Sequence, residues 1–188
     1  AVMVIDAAKG IEAQTKKLFQ VCAMRKIPIF TFMNKLDRQA KDPLALMEEL
    51  EEVLGMQSVA VTWPIGSGMS FEGIYDRQLN EVHLFRKEKV IRLSTQGVHG
   101  PELESVLEPD NLSNLRDEID LLDGAGNEFD TELIQAGKLS PVFFGTALVD
   151  FGVTPFLNHF LDLSLAPSSR KTNLGMIEPT YEKFSGFI

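Results

Sequence analysis

Four short stretches of the chain are apolar at nearly every position, and between them apolar residues recur at the spacing of a helix face. The uniform runs are Ala1-Val2-Met3-Val4-Ile5, Ile29-Phe30-Thr31-Phe32-Met33, residues 58–63 and Pro141-Val142-Phe143-Phe144. Their length and β-branched or aromatic character predict strands of a parallel sheet covered on both faces. Residues 11–26 carry Ile11, Leu18, Phe19, Val21, Cys22 and Met24 on roughly one side, with Arg25 and Lys26 in the last turn, which predicts a helix. Asp42-Pro43 predicts an N-cap with proline at the first helical position, and Leu44, Met47, Leu50, Val53 and Leu54 continue the helix until Gly55 stops it. Val153, Phe156, Leu157, Phe160, Leu161 and Leu165 predict a last helix over 152–165. Strand and helix thus alternate, which implies a parallel sheet with crossover helices, an α/β fold.

Residues 64–139 have a different texture. Residues 71–75 and 81–86 predict hairpin strands and 89–93 alternates like a third. Residues 102–107 and 111–122 then predict helices, the second with Leu112, Leu115, Ile119 and Leu122 on one face before Gly124, and a further helix over 128–136 ends at Gly137. The expected result is an α+β insertion with a small antiparallel sheet, packed beside the main sheet without entering it. Residues 166–171 look like a linker, and 179–188 begin another alternating segment.

Composition narrows the possibilities. At 188 residues the chain can bury a sizeable core, and no apolar run approaches the roughly 18 residues of a membrane span. The single Cys22 falls in a helical pattern, so a buried thiol in a reducing cytoplasm is expected. A formal charge of -9 argues against gripping a phosphate backbone through a broad basic surface. His83, His99 and His159 are too far apart for a recognisable metal spacing and are expected at the surface or partly packed. The acidic Glu48-Glu49-Leu50-Glu51-Glu52 and residues 116–123 are expected to be solvated helix faces. The glycine-rich 64–73 fits neither a dinucleotide fingerprint nor a phosphate loop, because Phe71 stands where the first needs Gly and no Lys follows the last Gly.

Candidate chemistry sits where two of the uniform runs end. The run through Met33 stops abruptly in Asn34, Lys35, Leu36 and Asp37, and in parallel sheets ligands bind just beyond the carboxyl ends of the strands. An amide, a cation and a carboxylate there suit guanine. Its N1–H and N2–H2 are adjacent donors that the Asp37 carboxylate can accept side by side, whereas adenine would leave that carboxylate unpaired. Lys35 can lay its four-carbon stem over the base plane, and Asn34 can bond the base edge and tie neighbouring loops together. The run through Phe144 ends in Gly145-Thr146-Ala147 before Leu148, where backbone N–H groups could approach a base carbonyl. The simpler alternative is a strand end with a solvated polar turn.

Taken in order, Ala1 to Gly10, Asn34-Lys35-Leu36-Asp37 and Thr146-Ala147-Leu148, with the helices between them, resemble the second half of the G domain of translational GTPases. The wording of Val61-Thr62-Trp63-Pro64-Ile65-Gly66 and Phe143-Phe144-Gly145-Thr146-Ala147-Leu148 is most similar to the bacterial release-factor branch of that family. The resemblance implies a partial P-loop-type G domain over 1–63 and 140–170, the insertion over 64–139, and a linker with the first strand of a following β-barrel domain over 171–188. It implies guanine recognition by Asn34, Lys35, Leu36, Asp37, Thr146, Ala147 and Leu148, with GTP or GDP as ligand. Its further implications are Mg2+ held by residues of a full-length parent, the ribosome and class I release factors as partners in translation termination, and neither membrane nor DNA. The chain begins inside a strand pattern without an initiator Met and contains no G-x-x-x-x-G-K-[ST], so a fragment without catalytic competence of its own is expected. An elongation factor G-like GTPase and a non-catalytic interaction module remain the alternatives.

Overall fold

The computed structural model describes residues 1–86, 89–167, 169–173 and 175–182. In chain order the elements are β1 (Val2–Asp6), α1 (Ala13–Met24), β2 (Phe30–Asn34), α2 (Pro43–Leu54), β3 (Gln57–Ala60), β4 (Thr62–Ile65), β5 (Gly73–Asp76), β6 (Glu81–Arg86), β7 (Lys89–Ser94), α3 (Pro109–Ala125), α4 (Thr131–Gln135), β8 (Leu139–Phe144), α5 (Val153–Leu163), β9 (Arg170–Thr172) and β10 (Gly175–Ile177). The main sheet has the order β1-β2-β8-β3 and every pair in it is parallel. Beside it stands an antiparallel sheet, β4-β5-β6-β7, and β9 with β10 form a separate hairpin. The fold is therefore α/β with an added antiparallel layer.

Both faces of the main sheet are covered over β2 and β8, as their uniformly apolar sequences require, whereas β1, equally apolar in sequence, leaves Val2 and Val4 exposed on one face. One core joins Ile5 and Met33 of the sheet to Phe19 of α1 and to Leu46 and Leu50 of α2, and runs on to Leu112, Leu115, Ile119 and Leu122 of α3 against the antiparallel sheet. The other packs Phe30, Phe32 and Phe143 against Ile134 of α4 and Phe156 and Leu163 of α5. Trp63 is fully buried between the sheets. It meets Phe144 edge-on with ring centroids 5.1 Å apart and donates its Nε1–H to Glu118 Oε2 at 2.6 Å. Burial pushes the Glu118 carboxyl above its ordinary range.

α2 forms as its termini dictate: Asp42 Oδ1 accepts the Ala45 N–H at 3.0 Å, Pro43 opens the helix, and Gly55 closes it in the left-handed region at φ 66°. Three expectations need correction. The apolar run over 58–63 is two strands, because the chain passes from one sheet to the other at Val61. Val61 gives its N–H to Val142 O at 2.9 Å and accepts the Arg77 N–H at 2.9 Å, and Thr62 then enters the antiparallel sheet opposite Asp76. The apolar face of α1 is only partly covered: Phe19 is buried, but Leu18 is 58% and Met24 77% exposed. The cause is the sheet order, since β1 is an edge and, among the described residues, no further strand reaches across under the outer flank of α1. Residues 166–171, read as a linker, run into the β9–β10 hairpin, closed by Thr172 Oγ1 donating to Gly175 O at 3.0 Å. The alternating pattern after 179 falls mostly on 183–188, outside the described residues.

Candidate functional site

β1, β2 and β8 end together at one rim of the main sheet, with Asp6 opposite Asn34 and Met33 opposite Phe144 in register. The loops that follow are tied to one another by backbone bonds. Ala7 N–H donates to Asn34 O at 2.9 Å, Gly145 N–H to Met33 O at 3.0 Å and Gly68 N–H to Leu36 O at 3.1 Å. Gly145 is required here, because a Cβ would lie 2.6 Å from Phe151 O and 2.8 Å from the Phe32 ring.

On this rim the two sequence motifs meet through side chains. Asn34 Oδ1 accepts from the Lys35 N–H at 2.8 Å and from the Ala147 N–H at 2.9 Å, so one amide oxygen joins the loop after β2 to the loop after β8. The buried Thr146 hydroxyl donates to Asp37 Oδ1 at 2.5 Å, fixing the plane of a carboxylate that is still solvent-accessible. Arg38 Nε lies 3.9 Å from Asp37 Oδ2, with its own side chain 66% exposed, a contact that contributes little. Lys35 adopts a left-handed backbone at φ 73° and sends its Nζ to Asp6 Oδ2 at 2.7 Å. That bond holds the Asp6 carboxyl below its ordinary range.

The remaining two residues of the motifs have other positions. Leu36 points into the core and is almost fully buried, so only its backbone serves the rim, through its carbonyl and through an N–H to Gly145 O at 3.4 Å. Leu148 stands exposed in the one-turn 3-10 helix Ala147–Val149. Asp6 was not among the residues singled out from the sequence, although it ends an apolar strand in the same way as Asn34 does. Among the described residues no three His, Cys, Asp or Glu side chains cluster as a metal site.

Two of the three histidines depart from expectation. His83 is buried with both ring nitrogens unpartnered, and His159 is buried with its Nε2 2.7 Å from Asp76 Oδ2; only His99 is exposed, beside Asp120. The sheet pairing and the seat of α5 place them inside, and neither is visible in the spacing of histidines along the chain. Among the described residues no helix is long and apolar enough to cross a membrane.

The sequence matches the family described as elongation factor Tu GTP binding domain over residues 1–165. Among similar proteins, the peptide chain release factor 3 of Synechococcus elongatus is 50% identical over an alignment covering 100% of this chain and 34% of that protein. That of Symbiobacterium thermophilum is 50% identical over 100% of this chain and 36% of its own length. The chain thus spans about a third of the length of these relatives. A crystal structure of a Thermus thermophilus protein shares the fold, with a TM-score of 0.62 at 19% identity over 87% of this chain and 26% of that one.

Proposed function

Because this chain belongs to the elongation factor Tu GTP binding domain family, we propose that it is the guanine-recognising part of a longer translational GTPase of the release factor 3 kind. The observation that carries this is the meeting of the two motifs at the sheet rim, Asn34 with Ala147 and Thr146 with Asp37. Asp37 accepts the N1–H and N2–H2 donors of guanine on the two oxygens of one carboxylate, Oδ1 having a second lone pair beyond the one that takes the Thr146 hydroxyl. Thr146 sets the plane of that carboxylate before the base arrives. The Lys35 stem covers one face of the base, Asn34 holds the 146–148 loop beside it, and Leu36 anchors the turn from below.

GTP supplies, when bound, the phosphoanhydride bond whose hydrolysis drives the cycle. The residues of this chain bind and orient the base and are assigned no step at the phosphates. In this reading Mg2+ and the phosphate loop belong to other parts of the full-length protein. The parent protein acts in the cytoplasm on the ribosome and promotes recycling of class I release factors during termination, as the similarity to release factor 3 over the whole chain supports. We divide the chain into the base-recognising half of a G domain (1–63), an inserted α+β subdomain (64–139), the end of the G domain (140–170) and the approach to a following β-barrel domain (171–188).

The test is Asp37→Asn in the full-length protein. An amide offers one acceptor and one donor, which mismatches guanine but matches xanthine, with its N1–H and C2 carbonyl. Affinity for GDP should fall by about 1–3 kcal/mol, the range of a bidentate base contact, while XDP gains relative to it. A variant that still prefers GDP as strongly as the parent would sink the assignment.

A further inference from the structure

We propose that Asp6 is a positioning residue for the nucleotide: by anchoring the Lys35 ammonium it holds the lysine stem as a preformed shelf for the base. The inference rests on reading the Asn34–Asp37 turn as the base site. Asp6 and Asn34 are register partners at the ends of adjacent parallel strands, so the residue after Asn34 is delivered beside the Asp6 carboxylate. Lys35 Nζ reaches Asp6 Oδ2 at 2.7 Å. Asp6 is itself fixed. Its Oδ1 accepts the Ala8 N–H at 3.0 Å, its carbonyl accepts from Lys9 and Gly10 at 3.0 and 2.8 Å, and its side chain is only 15% exposed.

The lysine is therefore held at both ends, at the backbone by its left-handed conformation and the Asn34 amide, and at the ammonium by Asp6. A free lysine stem has many rotamers, and ordering it against a ligand weakens binding. Anchoring removes most of that loss before the base arrives. The role is blind to the base edge, since the Asp6 carboxylate bonds the Lys35 ammonium and the N–H of its own turn, whereas Asp37 reads the edge directly. The two residues should then leave different signatures.

The experiment compares GDP and XDP affinities and dissociation rates of the full-length protein with those of Asp6→Asn, Lys35→Met, the double variant and Asp37→Asn. Asp6→Asn keeps an oxygen for the Ala8 N–H and loses only the charge that holds Lys35. It should weaken both nucleotides by the same factor, about three- to tenfold, chiefly through faster dissociation. Lys35→Met retains an unbranched stem without an ammonium, so adding Asp6→Asn to it should cause no further loss. Equal weakening by Asp6→Asn in both backgrounds would show a merely structural role for Asp6, and unchanged affinity would show no role, either of which overturns the proposal. If Asp37→Asn fails to shift preference from GDP to XDP, the base reading itself falls. If it shifts preference while Asp6→Asn is silent, only the positioning role is lost.

Discussion

His83 lies among charges and bonds to none of them. It is 3% exposed, neither ring nitrogen has a hydrogen-bond partner, and the nearest carboxylate, Glu81 Oε2, stands 3.5 Å from Nε2. Burial first and then the Arg92 charge lower its pKa, against a smaller upward pull from Asp76 and Glu81. The ring is thus neutral in the folded protein at a pH where the unfolded chain, with a histidine pKa of about 6.5, has begun to bind a proton. A lowered folded-state pKa means stability that is fully present above about pH 6.5 and lost as pH falls from there toward the folded value. His83→Leu should flatten this acid limb. Urea midpoints of parent and variant at about pH 7.5 and about pH 5.5 would check it; a parent no less stable at the lower pH, relative to the variant, would contradict the burial argument.

At the scale of elements, the two edges of the main sheet are finished differently. β3 is masked by side chains: Ser58 N–H donates to Glu51 Oε1 at 2.8 Å, and Asn127 Nδ2 donates both to Ser58 O and to Glu51 Oε1 at 2.9 Å. One amide and one carboxylate stand in for a neighbouring strand, a protection that exposed edges need against pairing with other chains. Asn127→Ala should cost about 1–3 kcal/mol, because the Ser58 carbonyl loses the amide that covers it and Glu51 Oε1 is left with the two donors of Ser58 alone. It should also raise light scattering at concentrations where the parent is clear; a variant as stable and as clear as the parent would show that the edge needs no such cover. β1, at the other edge, leaves Val2 and Val4 exposed. Elements governed by local chemistry were legible in the sequence: α2 by Asp42, Pro43 and Gly55, α3 by its stripe of Leu112, Leu115, Ile119 and Leu122. The rim of the site was legible for the same reason, since both motifs close uniformly apolar strands that had to be parallel neighbours. What the sequence hid is decided by partners distant along the chain. Nothing marks Val61 as the crossing point, because both sheets bury both faces there. The bare flank of α1 depends on where the sheet ends, Leu36 turns inward within a motif whose other members face out, and Asp6 becomes part of the site only through strand register.

The whole molecule is tied across its two sheets. Asp76 of the antiparallel sheet meets His159 of α5 at 2.7 Å, and Arg77 donates to Ala60 O at 2.8 Å and to Asp123 Oδ1 at 2.5 Å. Trp63, the single tryptophan, sits where both layers meet. Its fluorescence and the far-ultraviolet circular dichroism should therefore report one coincident urea transition, and a tryptophan signal lost before the helical signal would show that the layers part separately. The same continuity bears on gene shuffling. Excising residues 64–139 and splicing the ends would leave Val61 without the Arg77 N–H and Thr62 next to a severed junction, although its hydroxyl still has to accept the Phe144 N–H at 2.9 Å just before the 146–148 loop. The antiparallel sheet is not a cassette. To be transplanted between relatives it must travel with the last step of its host sheet, and recombinants crossing over within α2, upstream of β3, should survive where those joined at 63 and 64 do not.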